Sequence, residues 1–83
     1  MKAYRTESWE ADGYAYAKVT FAFPGLGNTG PAEQIKHNGL RSAKRAVRLR
    51  AGYHVRCVIV ENKIDSLNRL HSLTVRGERK EEQ

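Results

Sequence analysis

The sequence predicts one α+β domain: an antiparallel sheet of four to five strands with one amphipathic helix packed on one face, in the order β-β-(β)-α-β-β. Three observations carry that expectation. Ala15, Ala17, Val19, Phe21 and Phe23 alternate with Tyr14, Tyr16, Lys18, Thr20 and Ala22, the period of a strand with one buried face. Asp12-Gly13 stands just before this run and suits a tight hairpin turn. Leu40, Ala43, Ala46, Val47 and Ala51 fall on one side of a helical wheel, and Gly52 follows as a stop.

Ala3 to Trp9 is the expected partner of the Tyr14–Phe23 strand across the Asp12-Gly13 turn. Pro24 to Pro31, with Gly25, Gly27 and Gly30 inside it, reads as a loop. Glu33 to His37 reads as a short optional strand around Ile35, because Asn38-Gly39 looks like a helix start and would interrupt a helix begun earlier. The helix is expected from about Leu40 to Ala51, with Leu49 pointing away from its apolar stripe. His54 to Val60 reads as a strand with Val55, Cys57 and Ile59 toward the helix and Val58 and Val60 on the other side. Glu61-Asn62-Lys63 is a polar turn. Leu67 to Arg76 spaces its leucines by three but ends on β-favouring Leu73-Thr74-Val75, and is read as the last strand. The domain is expected to cover 1–76, leaving 77–83 as a disordered, charged tail.

Eighty-three residues suffice for one core and not for two. A core of that size leaves little stability to spend on the strained geometry of an enzyme site, so catalysis is not expected. The single cysteine, Cys57, rules out an intramolecular disulfide, and a secreted domain this small usually needs such staples. No signal-peptide core and no membrane-length apolar run is visible, so the expected location is the cytoplasm.

Two motifs bear on cofactor and metal chemistry. Gly25-Leu26-Gly27-Asn28-Thr29-Gly30 has the glycine spacing of a dinucleotide-binding turn. That turn requires a helix on the loop, a βαβ unit, and an acid about twenty residues later for the ribose. No Asp or Glu lies between Glu33 and Glu61, and Pro31 stands where a phosphate-binding loop would place lysine, so no cofactor is expected. His37, His54, His71 and Cys57 lack the paired spacing of a zinc site, and no metal is expected.

The informative feature is charge. Lys and Arg outnumber Asp and Glu by fifteen to nine, a net +6. Six of the cations, Lys36, Arg41, Lys44, Arg45, Arg48 and Arg50, lie in one stretch without a single acid, and Arg56 extends it. Arg41–Arg45 and Lys44–Arg48 repel at the i,i+4 spacing, where a solvated helix gains from opposite charges. A helix that keeps such repulsion points to a polyanion or an acidic surface as its partner, and phosphate contacts from these side chains would be salt-sensitive and largely sequence-independent. Tyr14 and Tyr16, on the strand face opposite the helix and near Trp9 or Tyr4, suit base stacking, a protein interface or plain cross-strand packing.

Gln34-Ile35, Leu40 and Ala43-Lys44-Arg45, followed by a strand from His54 and a turn near Asn62, resemble the strand-to-helix junction of small basic phage anti-CRISPR proteins that inhibit type I surveillance complexes. The resemblance covers about half the chain; the longer N-terminal hairpin and the Gly/Pro loop depart from the pattern. It implies a sheet carrying one helix, with Lys44 and Arg45 matching motif positions that engage the complex where target DNA would bind. Arg41 and Arg48 join them from the helical wheel alone. Asn38-Gly39 to Ala46 is also similar to the last helix of double-stranded-RNA-binding domains, although that fold begins with a helix and ends on this one. The expected function is thus a binding protein that docks on a host protein or protein–nucleic-acid complex in the bacterial cytoplasm. Direct, weakly sequence-specific binding of DNA or RNA is the alternative, and an enzyme is the most distant reading.

Overall fold

Four strands and one helix follow one another along the chain: β1 (Tyr4–Ala11), β2 (Tyr14–Phe21), α1 (Glu33–Ala51), β3 (Val55–Ile64) and β4 (Leu70–Arg79). The structure, a computed structural model, describes residues 3–22, 33–67 and 69–79. The strands form one antiparallel sheet in the order β1-β2-β4-β3, with α1 against one face. The predicted α+β class holds, with four strands. β2 and β3 both pair antiparallel to β4 and therefore run parallel to each other. The β2–α1–β3 connection is a crossover that leaves a slot, and β4 turns back to fill it.

β1 and β2 join where Asp12 and Gly13 take φ of 53° and 82°, the left-handed pair that a two-residue hairpin turn requires. Alternation in β2 then sends Ala15, Ala17, Val19 and Phe21 toward α1, all buried. β4 adds Leu73 and Val75, β3 adds Val55 and half-buried Cys57, and α1 closes the core with Ala43 and Val47. At the other end of the sheet, Asp65 builds the β3–β4 turn. Its Oδ1 accepts hydrogen bonds from the backbone N–H groups of Leu67 (2.9 Å) and Arg69 (3.0 Å), and its Oδ2 from Arg69 Nε (2.9 Å). His71 Nε2 lies 2.8 Å from the same Oδ2. The hydrogen bond with His71, then those from Arg69, hold the Asp65 carboxyl well below the usual carboxylate range.

The helix is longer than the sequence predicts. Glu33 to His37 is its first turn and not an optional strand, and Asn38-Gly39 lies in its interior. The apolar stripe continues backward at i−4 steps from Val47 through Ala43 and Gly39 to Ile35, which packs on Val19, Phe21 and Leu73. Gln34 also reaches Asn38 across one turn, Nε2 to Oδ1 3.2 Å. Gly39 costs the helix roughly 1 kcal/mol relative to alanine, yet a Cβ there would meet Phe21 Cε1 and Val19 Cγ2 at 3.0 Å. The missing side chain is what lets α1 lie close on β2. Gly77 does the same on β4, where a Cβ would come within 2.6 Å of Val47 Cγ1. Gly52 ends the helix as expected, with its N–H bonded to Arg48 O at 2.7 Å. Leu49 is exposed, as its place on the wheel requires; Ala51, predicted within the apolar stripe, is exposed as well.

Three further boundaries differ. Glu61-Asn62-Lys63 is strand and not a turn: β3 continues through it after a bulge between Ile59 and Glu61. These polar residues are tolerated because β3 is an edge strand with its outer side in water. Leu67 lies exposed in the true turn, and the leucine spacing of three there is not helical. β4 also runs past 76 through Gly77, Glu78 and Arg79, because Cys57, Arg56 and Val55 of β3 still offer pairing partners. The remainder of the expected tail, 80–83, and the Gly/Pro loop lie outside the described residues, as does Phe23.

Candidate polyanion-binding face

α1 separates its charges from its core by geometry alone. With Ala43 and Val47 facing the sheet, residues 41, 44, 45 and 48 must project from the opposite and flanking sides of the helix. Arg41 and Arg45 are exposed, Lys44 and Arg48 half-buried. Together with Asn38, Ser42 and Tyr4 of β1, they line one shallow depression. Ser42 is fixed on that flank by a 2.8 Å hydrogen bond between its Oγ and Thr6 Oγ1.

The other two predicted cations are used elsewhere. Lys36 Nζ lies 3.5 Å from Glu33 Oε1 one turn back. Arg50 folds over β1, donating from Nε to Ser8 Oγ (2.9 Å) and from Nη2 to Ser8 O (3.2 Å), with Glu10 Oε2 4.0 Å from Nη1. The six-residue set thus resolves into four clustered cations with no ion-pair partner among the described residues, and two that are occupied. Arg5, Arg56, Arg69 and Arg76 are also paired, with Glu7, Glu78, Asp65 and Glu78.

Among the described residues the opposite face of the sheet carries no helix, and it has a pattern of its own. The pairing aligns Trp9, Tyr16, Arg76 and Val58 in one row across all four strands. The Trp9 and Tyr16 rings are parallel within 6°, centroids 5.6 Å apart, and Tyr14 meets Tyr16 edge-on at 6.5 Å. The Arg76 guanidinium lies 4.7 Å from the centre of the Tyr14 ring and bonds the Glu78 carboxylate. The Glu78 carboxylate raises the Arg76 pKa, helped by Tyr16, while Arg76 lowers that of Glu78.

Tyr14 and Tyr16 lie near Trp9, on the face opposite the helix, whereas Tyr4, the other expected neighbour, points to the helix side. Arg76 was not singled out from the sequence, although alternation from inward-facing Val75 would have placed it on this row. Tyr4 at the rim of the basic depression had no such signal, because its place follows from long-range pairing with Phe21. Cys57 packs under the helix with Sγ 3.9 Å from Lys44 O. Among the described residues no three His, Cys, Asp or Glu side chains come together as metal ligands. No helix among them is long and apolar enough to cross a membrane.

Helix α1 starts at Glu33, three positions after Gly30 in the sequence, so a helix does follow the glycine motif as a dinucleotide site requires. The antiparallel pairing of β2 with both its neighbours and the absence of an acid between Glu33 and Glu61 still count against it. No family model, curated protein or solved structure matches this chain.

Proposed function

We propose that this chain is a non-catalytic binding protein that docks the Arg41, Lys44, Arg45 and Arg48 face of α1 on a host nucleic-acid-handling complex, at a surface that accommodates phosphates. This is the mode of action implied by its resemblance to phage anti-CRISPR proteins. One observation carries the reading: four cations share a helix face without a carboxylate partner among the described residues, while most of the remaining arginines are paired. Like charges at i,i+4 weaken a helix, and an external anion removes that penalty. The site is shallow, which suits a broad charged surface better than a small substrate.

Direct binding to nucleic acid is the second reading, favoured by the same four cations if phosphates themselves are the anions. Capture from bacterial lysate, with and without nuclease, separates the two. A partner protein retained after nuclease supports docking on a complex; a partner lost with the nucleic acid supports direct binding. Replacing Arg41, Lys44, Arg45 and Arg48 with Glu should abolish capture in either case while the circular dichroism spectrum stays unchanged. Undiminished capture by a folded quadruple variant would sink both readings.

A further inference from the structure

We propose that the face of the sheet opposite α1 is a stacking platform for single-stranded nucleic acid, centred on Trp9 and Tyr16. This goes beyond the role of α1 and stands on different residues. The Trp9–Tyr16–Arg76 row crosses from edge strand β1 to β4, and Trp9 and Tyr14 are 36% and 41% exposed. Among the described residues no strand lies beyond β1 in the sheet, so a base can continue the parallel Trp9–Tyr16 stack on the outer side of the indole. Stacking of this kind tolerates any base, because every base presents a π-face. The row spans two strand spacings, about 10 Å, enough for roughly two splayed bases.

Charge on the same face favours a nucleic acid over an apolar partner. Arg5, Lys18, Arg56, Lys63 and Arg76 point to this side against Glu7, Glu61 and Glu78. Lys18, two residues along β2 from Tyr16, has no ion-pair partner among the described residues, nor has Lys63 at the far edge. Lys18 stands about 7 Å from the aromatic row along the strand, a position from which it can meet the backbone of a strand whose bases lie on the rings. Ser72, 3% exposed, and Arg76 belong to this face too, and Ser72 Oγ and Arg76 Nε are buried without an acceptor. A second copy of the chain would have to bury the Arg5, Lys18 and Lys63 rows against themselves, which like-charge repulsion opposes.

Trp9 is the only tryptophan in the chain, so its fluorescence reports on the platform itself. The probe is a ten-residue oligothymidylate titrated into the full chain, with inorganic polyphosphate of matched charge as control. Saturable quenching by the oligonucleotide and none by polyphosphate is expected. Tyr16→Ala should weaken binding by at least about fivefold, and Tyr16→Phe should restore it, because the ring and not the hydroxyl stacks. The quadruple Glu variant of α1 should still show quenching at low salt, which separates this proposal from the reading of the helix. Absent quenching, equal quenching by polyphosphate, or a Tyr16→Phe variant as weak as Tyr16→Ala would overturn it.

Discussion

Neutralising the α1 cations one at a time should change the salt dependence of polyanion binding in a way that identifies which of them are free. For a duplex, the logarithm of affinity falls with the logarithm of salt concentration at a slope of about 0.9 per phosphate neutralised. Arg41, Lys44, Arg45 and Arg48 together predict a slope near −3.6, a loss of roughly 150-fold between 50 and 200 mM salt. Each single change to Gln should lower the slope by about 0.9. Arg50→Gln should leave it nearly unchanged, because Ser8 and Glu10 already hold that guanidinium, and Lys36→Gln should behave likewise because of Glu33. The measurement is fluorescence anisotropy of a labelled 20-base-pair duplex, used as a generic polyanion, at four or more salt concentrations. Equal slope changes for Arg50→Gln and Arg45→Gln would show that pairing within the chain does not sort the cations, and the argument for the four-residue face would fail.

Two predictions concern the scaffold. Gly77→Ala should destabilise the domain by about 1–3 kcal/mol, since the new Cβ would press on Val47 Cγ1 at 2.6 Å and Val55 Cγ2 at 3.2 Å. Thermal unfolding should show a midpoint lower by at least about 4 °C, and an unchanged midpoint would mean that α1 does not sit this close to β4. Asp65 makes stability acid-sensitive. Its folded-state pKa is depressed by His71 and Arg69, so its contribution is full above the unfolded value of about 3.9 and is lost as pH falls below it. The difference in urea midpoint between the wild type and Asp65→Asn should therefore shrink from pH 6 toward pH 2, and a difference independent of pH would refute the assignment.

The fold was legible where short-range chemistry decides it. Period-two alternation gave β2, Asp12-Gly13 gave the hairpin, and Gly52 gave the helix end. Errors clustered where a long-range contact overrules local preference. Asn38-Gly39 reads as a helix start until Phe21 and Val19 are seen to need the space that Gly39 leaves. Glu61-Asn62-Lys63 reads as a turn until β4 supplies its pairing partners. The candidate face was legible as a charge run, but its membership was not. Nothing near Arg50 in sequence shows that Ser8 and Glu10, some forty residues away, will take its hydrogen bonds.

That distinction also explains how a helix with so much like charge can persist. Repulsion at Arg41–Arg45 and Lys44–Arg48 costs a few tenths of a kcal/mol per pair. Burial of one aliphatic side chain the size of Val47 contributes about 1.5 kcal/mol or more, and Ile35, Leu40 and Ala43 add to it. The sheet-facing stripe therefore outweighs the outer face several times over, and α1 needs no partner in order to fold. Its position is set by the core and not by neighbouring acids, so Arg41, Lys44, Arg45 and Arg48 would meet an anion without first breaking ion pairs to the described residues. A helix stabilised by mixed surface charges could not offer the same face. The division of labour in α1 is thus apolar and small residues that set its position and four outward cations without an ion-pair partner among the described residues.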